Sequence, residues 1–153
     1  MLVLVILLAG CLRTNVSVTR MDKLHTFQSK PGDCGPVLVE KARLPVVGIR
    51  RICQIRVSII PRPWSWQSGS LEEALDESRE WICHCGASGY FIDYYERTAT
   101  TVLMYLYGVD GDLPASGEGP VRERLACEDR GGRLIGDDCQ VRERRFNNRT
   151  HRG

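Results

Sequence analysis

Cys83-His84-Cys85 is the densest run of reactive side-chain types in this 153-residue chain. Two chemistries suit it: thiol redox exchange, and metal ligation through thiolate and imidazole. The spacing argues against a zinc pair, because two ligating cysteines usually need two or more residues between them. At about 100 degrees per residue, positions 83 and 85 of a helix also diverge by about 160 degrees. A cysteine nucleophile needs a thiolate and a base, and disulfide pairing in an oxidising compartment removes the thiol.

The other reactive types are scattered. His25 and His151 lie toward the chain ends, and Asp110-Gly111-Asp112 offers only part of a calcium loop. Gly86-Ala87-Ser88-Gly89 lacks the spacing of a nucleophile elbow, and no phosphate-binding glycine fingerprint occurs. No catalytic residue, metal ligand or cofactor is therefore expected. The alternative is a secreted redox or metal-dependent enzyme using Cys83, His84 and Cys85.

The chain has seven cysteines: Cys11, Cys34, Cys53, Cys83, Cys85, Cys127 and Cys139. An odd count in a disulfide-bonded chain leaves one sulfur to explain, and Cys11 follows the apolar run Leu2 to Ala9 and Gly10. That run is far shorter than the roughly 20 residues a membrane-crossing helix needs. An apolar stretch ending in small residues before a cleavage point has the form of an export signal. Leu8-Ala9-Gly10-Cys11 resembles a bacterial lipobox, although no Lys or Arg precedes the apolar run. The resemblance implies removal of residues 1–10 and acylation of Cys11. Acyl chains contribute about 0.8 kcal/mol per buried methylene, so several of them anchor a protein durably. The competing reading is a buried N-terminal strand with an ordinary core cysteine. With Cys11 acylated, six cysteines remain, and an even set in an exported chain reads as disulfides.

The elements that would position these groups follow from period and punctuation. Residues 11–32 show no sustained period and are expected to be an irregular tether. Turn chemistry at Pro31 to Pro36 opens an α+β domain over 33–107. Val37 to Glu40 is a strand candidate. Val47 to Ile59 alternates with a period of two, interrupted at Arg51 and Ile52, and predicts a long half-buried strand or a bulged pair ending at Pro61 and Pro63. Trp64 and Trp66 follow in a loop, where at least one is expected to cover the core edge.

Ser70 and Glu73 form a capping box. Leu71, Ala74, Leu75, Ser78, Ile82 and Cys85 then share one helical face, and Gly86 is placed to stop the helix. Cys85 should face inward and Cys83 sideways or out. Tyr90 to Tyr95 and Thr101 to Tyr107 are rich enough in aromatic and β-branched residues to be strands. Residues 108–120 contain four glycines, two prolines and three acids, which reads as a linker. Residues 121–140 should be an extension closed by cysteines, with a helical turn or two near Arg122 to Cys127. Residues 141–153 carry five arginines against Glu143, a basic disordered tail. The fold expected is α+β, a single helix on a small sheet of three or four mixed or antiparallel strands, stapled by disulfides.

The order Asp33-Cys34, Val37-Leu38-Val39, Val47-Gly48-Ile49, Leu71 to Leu75, then Cys83 before Gly86-Ala87 and an apolar strand resembles small bacterial envelope lipoproteins. In layout it is similar to the RcsF-type outer-membrane stress-sensor lipoproteins. Ser88 stands where an Asp is usual in that pattern, and the Cys127 to Cys139 extension has no counterpart in it. The resemblance implies a compartment, the bacterial envelope, and suggests pairing Cys34 with Cys83. By position, Cys53 and Cys85 both face the expected core and Cys127 can close on Cys139. Six cysteines allow fifteen connectivities, so sequence alone leaves the pairing open.

The expected protein is a lipid-anchored structural, sensing or partner-binding module without catalysis, in the outer membrane facing the periplasm. Leu12 stands where an Asp would favour inner-membrane retention in enteric-type sorting. Its expected partners are the membrane, through the N-terminal lipid, and an envelope protein or anionic surface through the basic tail. The whole-chain net charge of +2 says little about partners, and no nucleic-acid partner is expected.

Overall fold

A computed structural model of the chain describes residues 13–21, 28–31, 34–61 and 68–141. The expected signal 1–10, Cys11, His25, Trp64, Trp66 and the arginine-rich tail beyond Val141 lie outside the described residues.

The longest strand forms where the period of two is strongest. β3 (Ile49–Ile60) buries Cys53, Ile55, Val57 and Ile59 on one side and ends at Pro61. It pairs antiparallel with β5 (Val102–Gly111), and the register shifts between Arg51 and Cys53, where the alternation breaks in the sequence. A bulge of this kind keeps Cys53 in phase with the core face while Ile52 is also buried. β4 (Gly89–Arg97) forms a hairpin with β5 and is bulged between Ile92 and Tyr94.

The full sheet has five strands in the order β1-β3-β5-β4-β2. β2 (Val37–Leu38) adds parallel to β4, and β1 (Arg13–Arg20) adds antiparallel to β3. The expected tether over 11–32 is thus corrected across 13–20, which is an edge strand. Only Val16 and Val18 pack on the core from it, and an edge strand made otherwise of Arg, Thr, Asn and Ser has no apolar period to detect.

α1 (Leu71–His84) begins with the expected capping box, with Ser70 Oγ accepting from Glu73 N at 3.0 Å. The reciprocal satisfaction of orphan N–H groups contributes on the order of 1 kcal/mol. The helix buries Leu71, Ala74, Leu75, Ser78 and Ile82 against the sheet, and Gly86 turns the chain at φ +76°. A Cβ there would also collide with the carbonyl of Gln28.

The expected single helix is corrected to two, and the expected three or four strands to five plus a two-stranded hairpin. α2 (Glu118–Asp129) starts inside the supposed linker 108–120, whose first residues belong to β5. Gly119 and Pro120 sit in its first turn, where backbone N–H groups have no intrahelical acceptor and Pro is tolerated. Val121 and Leu125 join the same core cluster as α1 and the inner sheet face. Cys127 then leads into the hairpin of β6 (Gly132–Ile135) and β7 (Asp138–Val141) within the disulfide-closed extension.

Candidate functional site

The structure brings all six described cysteines into three disulfides. Cys34 joins Cys83, Cys53 joins Cys85 and Cys127 joins Cys139, with Cα separations of 5.8, 6.4 and 5.5 Å. These lie within the range a disulfide spans. Cys83 is fully buried rather than facing sideways or out. Its flank of α1 is covered, because the chain at residues 28–31 passes the helix end and Lys30 N donates to the Cys83 carbonyl. The Cys53–Cys85 bridge clamps β3 to the end of α1 and rests on β5 at Gly108, where a Cβ would stand 2.7 Å from Cys53 Sγ and 3.1 Å from Ala87 Cβ. Only glycine admits the bridge at that height above the sheet.

His84, between the two bridged cysteines, is exposed. Its Nδ1 lies 3.1 Å from Ser29 Oγ and its ring meets Trp81 edge-on. With both flanking sulfurs in disulfides, the cluster presents one imidazole and no thiolate. Among the described residues no group of three or more His, Cys, Asp or Glu side chains converges as a metal site would require. No helix among the described residues is long and apolar enough to cross a membrane.

Ser88, in the position where the resemblance expects an acid, donates to Asp110 at 2.6 Å, and Arg50 lies 3.6 Å from the same carboxylate. The Ser88 hydrogen bond holds the Asp110 carboxyl below the usual carboxylate range, helped by the Arg50 charge. A depressed folded-state pKa contributes stability above the ordinary range that is lost as pH falls through the folded value. Replacing Ser88 with alanine is expected to move the Asp110 midpoint upward, read by NMR titration of its side-chain carboxyl carbon. An unchanged midpoint would assign the shift to the Gly111 N–H and the nearby Arg50 and Lys30 charges instead.

Burial pushes the Tyr90 phenol up to about 12, and its hydroxyl finds no hydrogen-bond partner among the described residues. Tyr95 is also pushed up to about 12, by burial and by its hydrogen bond to Glu128 at 2.8 Å. Neither phenol ionises near neutral pH, so neither serves as a base there. A shallow cleft of about 480 Å³ beside Lys41 is lined by Glu40, Asp93, Tyr95 and Arg124. Lys41 and Asp93 neutralise each other across it at 2.6 Å. Nothing in it pairs a nucleophile with a base.

The more organised surface is one that sequence reasoning missed: the sheet face opposite the helices. Both helices contribute to the single core on the inner face, and the outer face carries an aromatic ladder. Phe91 of β4 stacks on Tyr107 of β5 at 5.5 Å, and Tyr94 meets Tyr105 at 6.2 Å. Two arginines from β3 lie over the rings. The Arg51 guanidinium is 4.7 Å from the Tyr107 centroid and 5.6 Å from that of Phe91, and Arg56 is 5.9 Å from Tyr105. Gln54 donates to the Tyr107 hydroxyl at 3.0 Å. Such an arrangement can bind and orient a partner but has no group placed to transfer a proton or attack a bond. The signal was present as Gln54 and Arg56 at alternate positions of one strand and Tyr105 and Tyr107 at alternate positions of another, yet their pairing across strands is invisible until the register is known.

Compared with protein-family models, curated proteins and solved structures, the chain matches none of them.

Proposed function

We propose that the chain is a lipid-anchored protein of the bacterial cell envelope, held by an acylated Cys11 in the outer membrane and facing the periplasm, where it acts as a structural, sensing or partner-binding module without catalysis. One observation carries this reading: all six described cysteines are consumed in disulfides, leaving Cys11 of the Leu-Ala-Gly-Cys run as the one cysteine of seven outside the set. Three disulfides in a domain of this size suit an oxidising compartment. The lipobox resemblance supplies a use for the seventh sulfur.

The strand β1 sharpens the geometry of such an anchor. Only Leu12 separates Cys11 from Arg13, the first residue of β1. Two residue steps reach at most about 7 Å, so an acylated Cys11 would hold the sheet edge at the headgroup surface, with no long leash. A domain held this way presents its faces to neighbouring envelope proteins in a restricted range of orientations.

The test is intact-mass analysis of the protein from the cell that makes it, with thiol titration of the denatured, unreduced chain. The expected result is an N-terminus at acylated Cys11 and no free thiol. An unmodified Met1 at the N-terminus overturns the anchor. Two or more free thiols would instead favour a redox or metal-dependent role for Cys83, His84 and Cys85.

A further inference from the structure

We propose that the face of the five-stranded sheet opposite α1 and α2 docks a polypeptide presenting carboxylates beside aromatic side chains. The inference stands on the sheet face alone and holds whether or not Cys11 is acylated.

The unusual feature is how the arginines are held. Arg43, Arg50, Arg79, Arg97 and Arg122 each form an ion pair with a carboxylate. Arg51 and Arg56 are exposed and have no carboxylate partner among the described residues; each lies over an aromatic ring instead, at 4.7 and 5.9 Å from the centroids of Tyr107 and Tyr105. A cation–ring contact occupies no N–H donor, and the guanidinium N–H groups of both arginines have no acceptor among the described residues. Those groups match a carboxylate bidentately, and the ring contacts favour side-chain positions over the sheet face before a partner arrives.

Composition points to a protein partner. Tyr94 is 50% exposed and Tyr105 and Tyr107 are half-buried, so tyrosines and arginines dominate the centre of the face. These are the residue types that carry most of the energy at protein interfaces. The acid Glu96 accepts from the Tyr94 hydroxyl at 3.1 Å and keeps its charge, so two arginines against one carboxylate leave this part of the face net positive. Like charge argues against two other occupants: the chain's own residues 142–153, with five arginines, and a second copy of the same face. A neutral glycan would need open ring faces, and those of Tyr105 and Tyr107 carry guanidinium groups. A nucleic acid would need a longer cationic track than two arginines on a single strand.

The experiment titrates the purified full chain, in detergent micelles, with a random copolymer of L-glutamate and L-tyrosine, following backbone amide shifts. The expected result is saturable binding with the largest shifts at Arg51, Arg56, Tyr94 and Tyr105. R51A/R56A should weaken it about tenfold or more, which corresponds to about 1.4 kcal/mol. R51K/R56K keeps the charge but not the planar fork and should weaken it several-fold, as should Tyr94→Ser, whose ring is too exposed to be needed for folding. Shifts centred elsewhere, no binding, or equal affinity of R51A/R56A overturns the proposal. So does tighter binding of chitohexaose or of a single-stranded oligodeoxythymidylate, which would reassign the face to a glycan or a nucleic acid.

Discussion

Replacing Cys53 and Cys85 together by alanine is expected to lower stability by about 4 to 5 kcal/mol. The bridge spans a sequence separation of 32, and closing a loop of that size restricts the unfolded chain by about 3.7 kcal/mol in the chain-entropy model. Both sulfurs are fully buried, so their removal also leaves unfilled space between β3, the end of α1 and Gly108, adding on the order of 1 kcal/mol. A domain of this size is stable by only about 5–15 kcal/mol, so the variant should sit near the edge of folding at physiological temperature. The comparison that gives the number meaning is Cys127→Ala with Cys139→Ala. Its bridge spans only 12 positions, for which the same model gives about 3 kcal/mol, and it ties α2 to a peripheral hairpin. Urea unfolding followed by far-ultraviolet circular dichroism reads both. If the two double variants lose equal stability, or the first loses less than 2 kcal/mol, the Cys53–Cys85 bridge is not the clamp between sheet and helix described above.

What was legible in the sequence divides along a physical line. Elements whose own residues carry the signal could be read: the alternation of β3 with its interruption at Arg51 and Ile52, the Ser70–Glu73 box, and the apolar face from Leu71 to Ile82. Elements that depend on a partner could not. β1 contributes just two valines to the core and is a strand because β3 offers it a ladder, with an unbroken register from Arg13 opposite Ile60 to Arg20 opposite Cys53. α2 opens with glycine and proline and buries only Val121, Leu125 and Cys127, too few to show a helical period. Cys83 misled for the same reason. Helical angle gives its direction, but burial on that flank comes from residues 28–31 and Cys34, which lie far away in sequence. The outer-face ladder of Arg51, Tyr107, Phe91, Arg56, Tyr105 and Tyr94 combines three strands, so no single segment announces it.

The clearest consequence of α2 being a helix rather than a linker is expected at Asp129, where alanine should cost about 3 kcal/mol. The carboxylate closes α2 and is 14% exposed. Its two oxygens each accept from Leu71 N at 2.9 Å, and one accepts from Glu72 N at 3.3 Å, so α2 caps the N-terminus of α1 from a distance of 58 residues. The same carboxylate pairs with Arg97 at the end of β4, at 3.2 Å. Three effects are lost together in Asp129→Ala: acceptors for two orphan N–H groups, a negative charge at the positive end of the α1 dipole, and the partner of an arginine that is only 28% exposed. Asp129→Asn keeps one acceptor oxygen and removes the charge, so its cost should be smaller, about 1 to 2 kcal/mol. Arg97→Ala leaves the capping in place and should cost about 1 kcal/mol. Urea unfolding ranks the three, and hydrogen exchange at the Leu71 and Glu72 amides reports the cap directly: exchange should accelerate in Asp129→Ala and change little in Arg97→Ala. An unchanged Leu71 amide in Asp129→Ala, or a cost below 1 kcal/mol, would show that Ser70 and Glu73 suffice to start α1. Acceleration would show that the fold is joined at this point by a single side chain that holds both helices and the central hairpin.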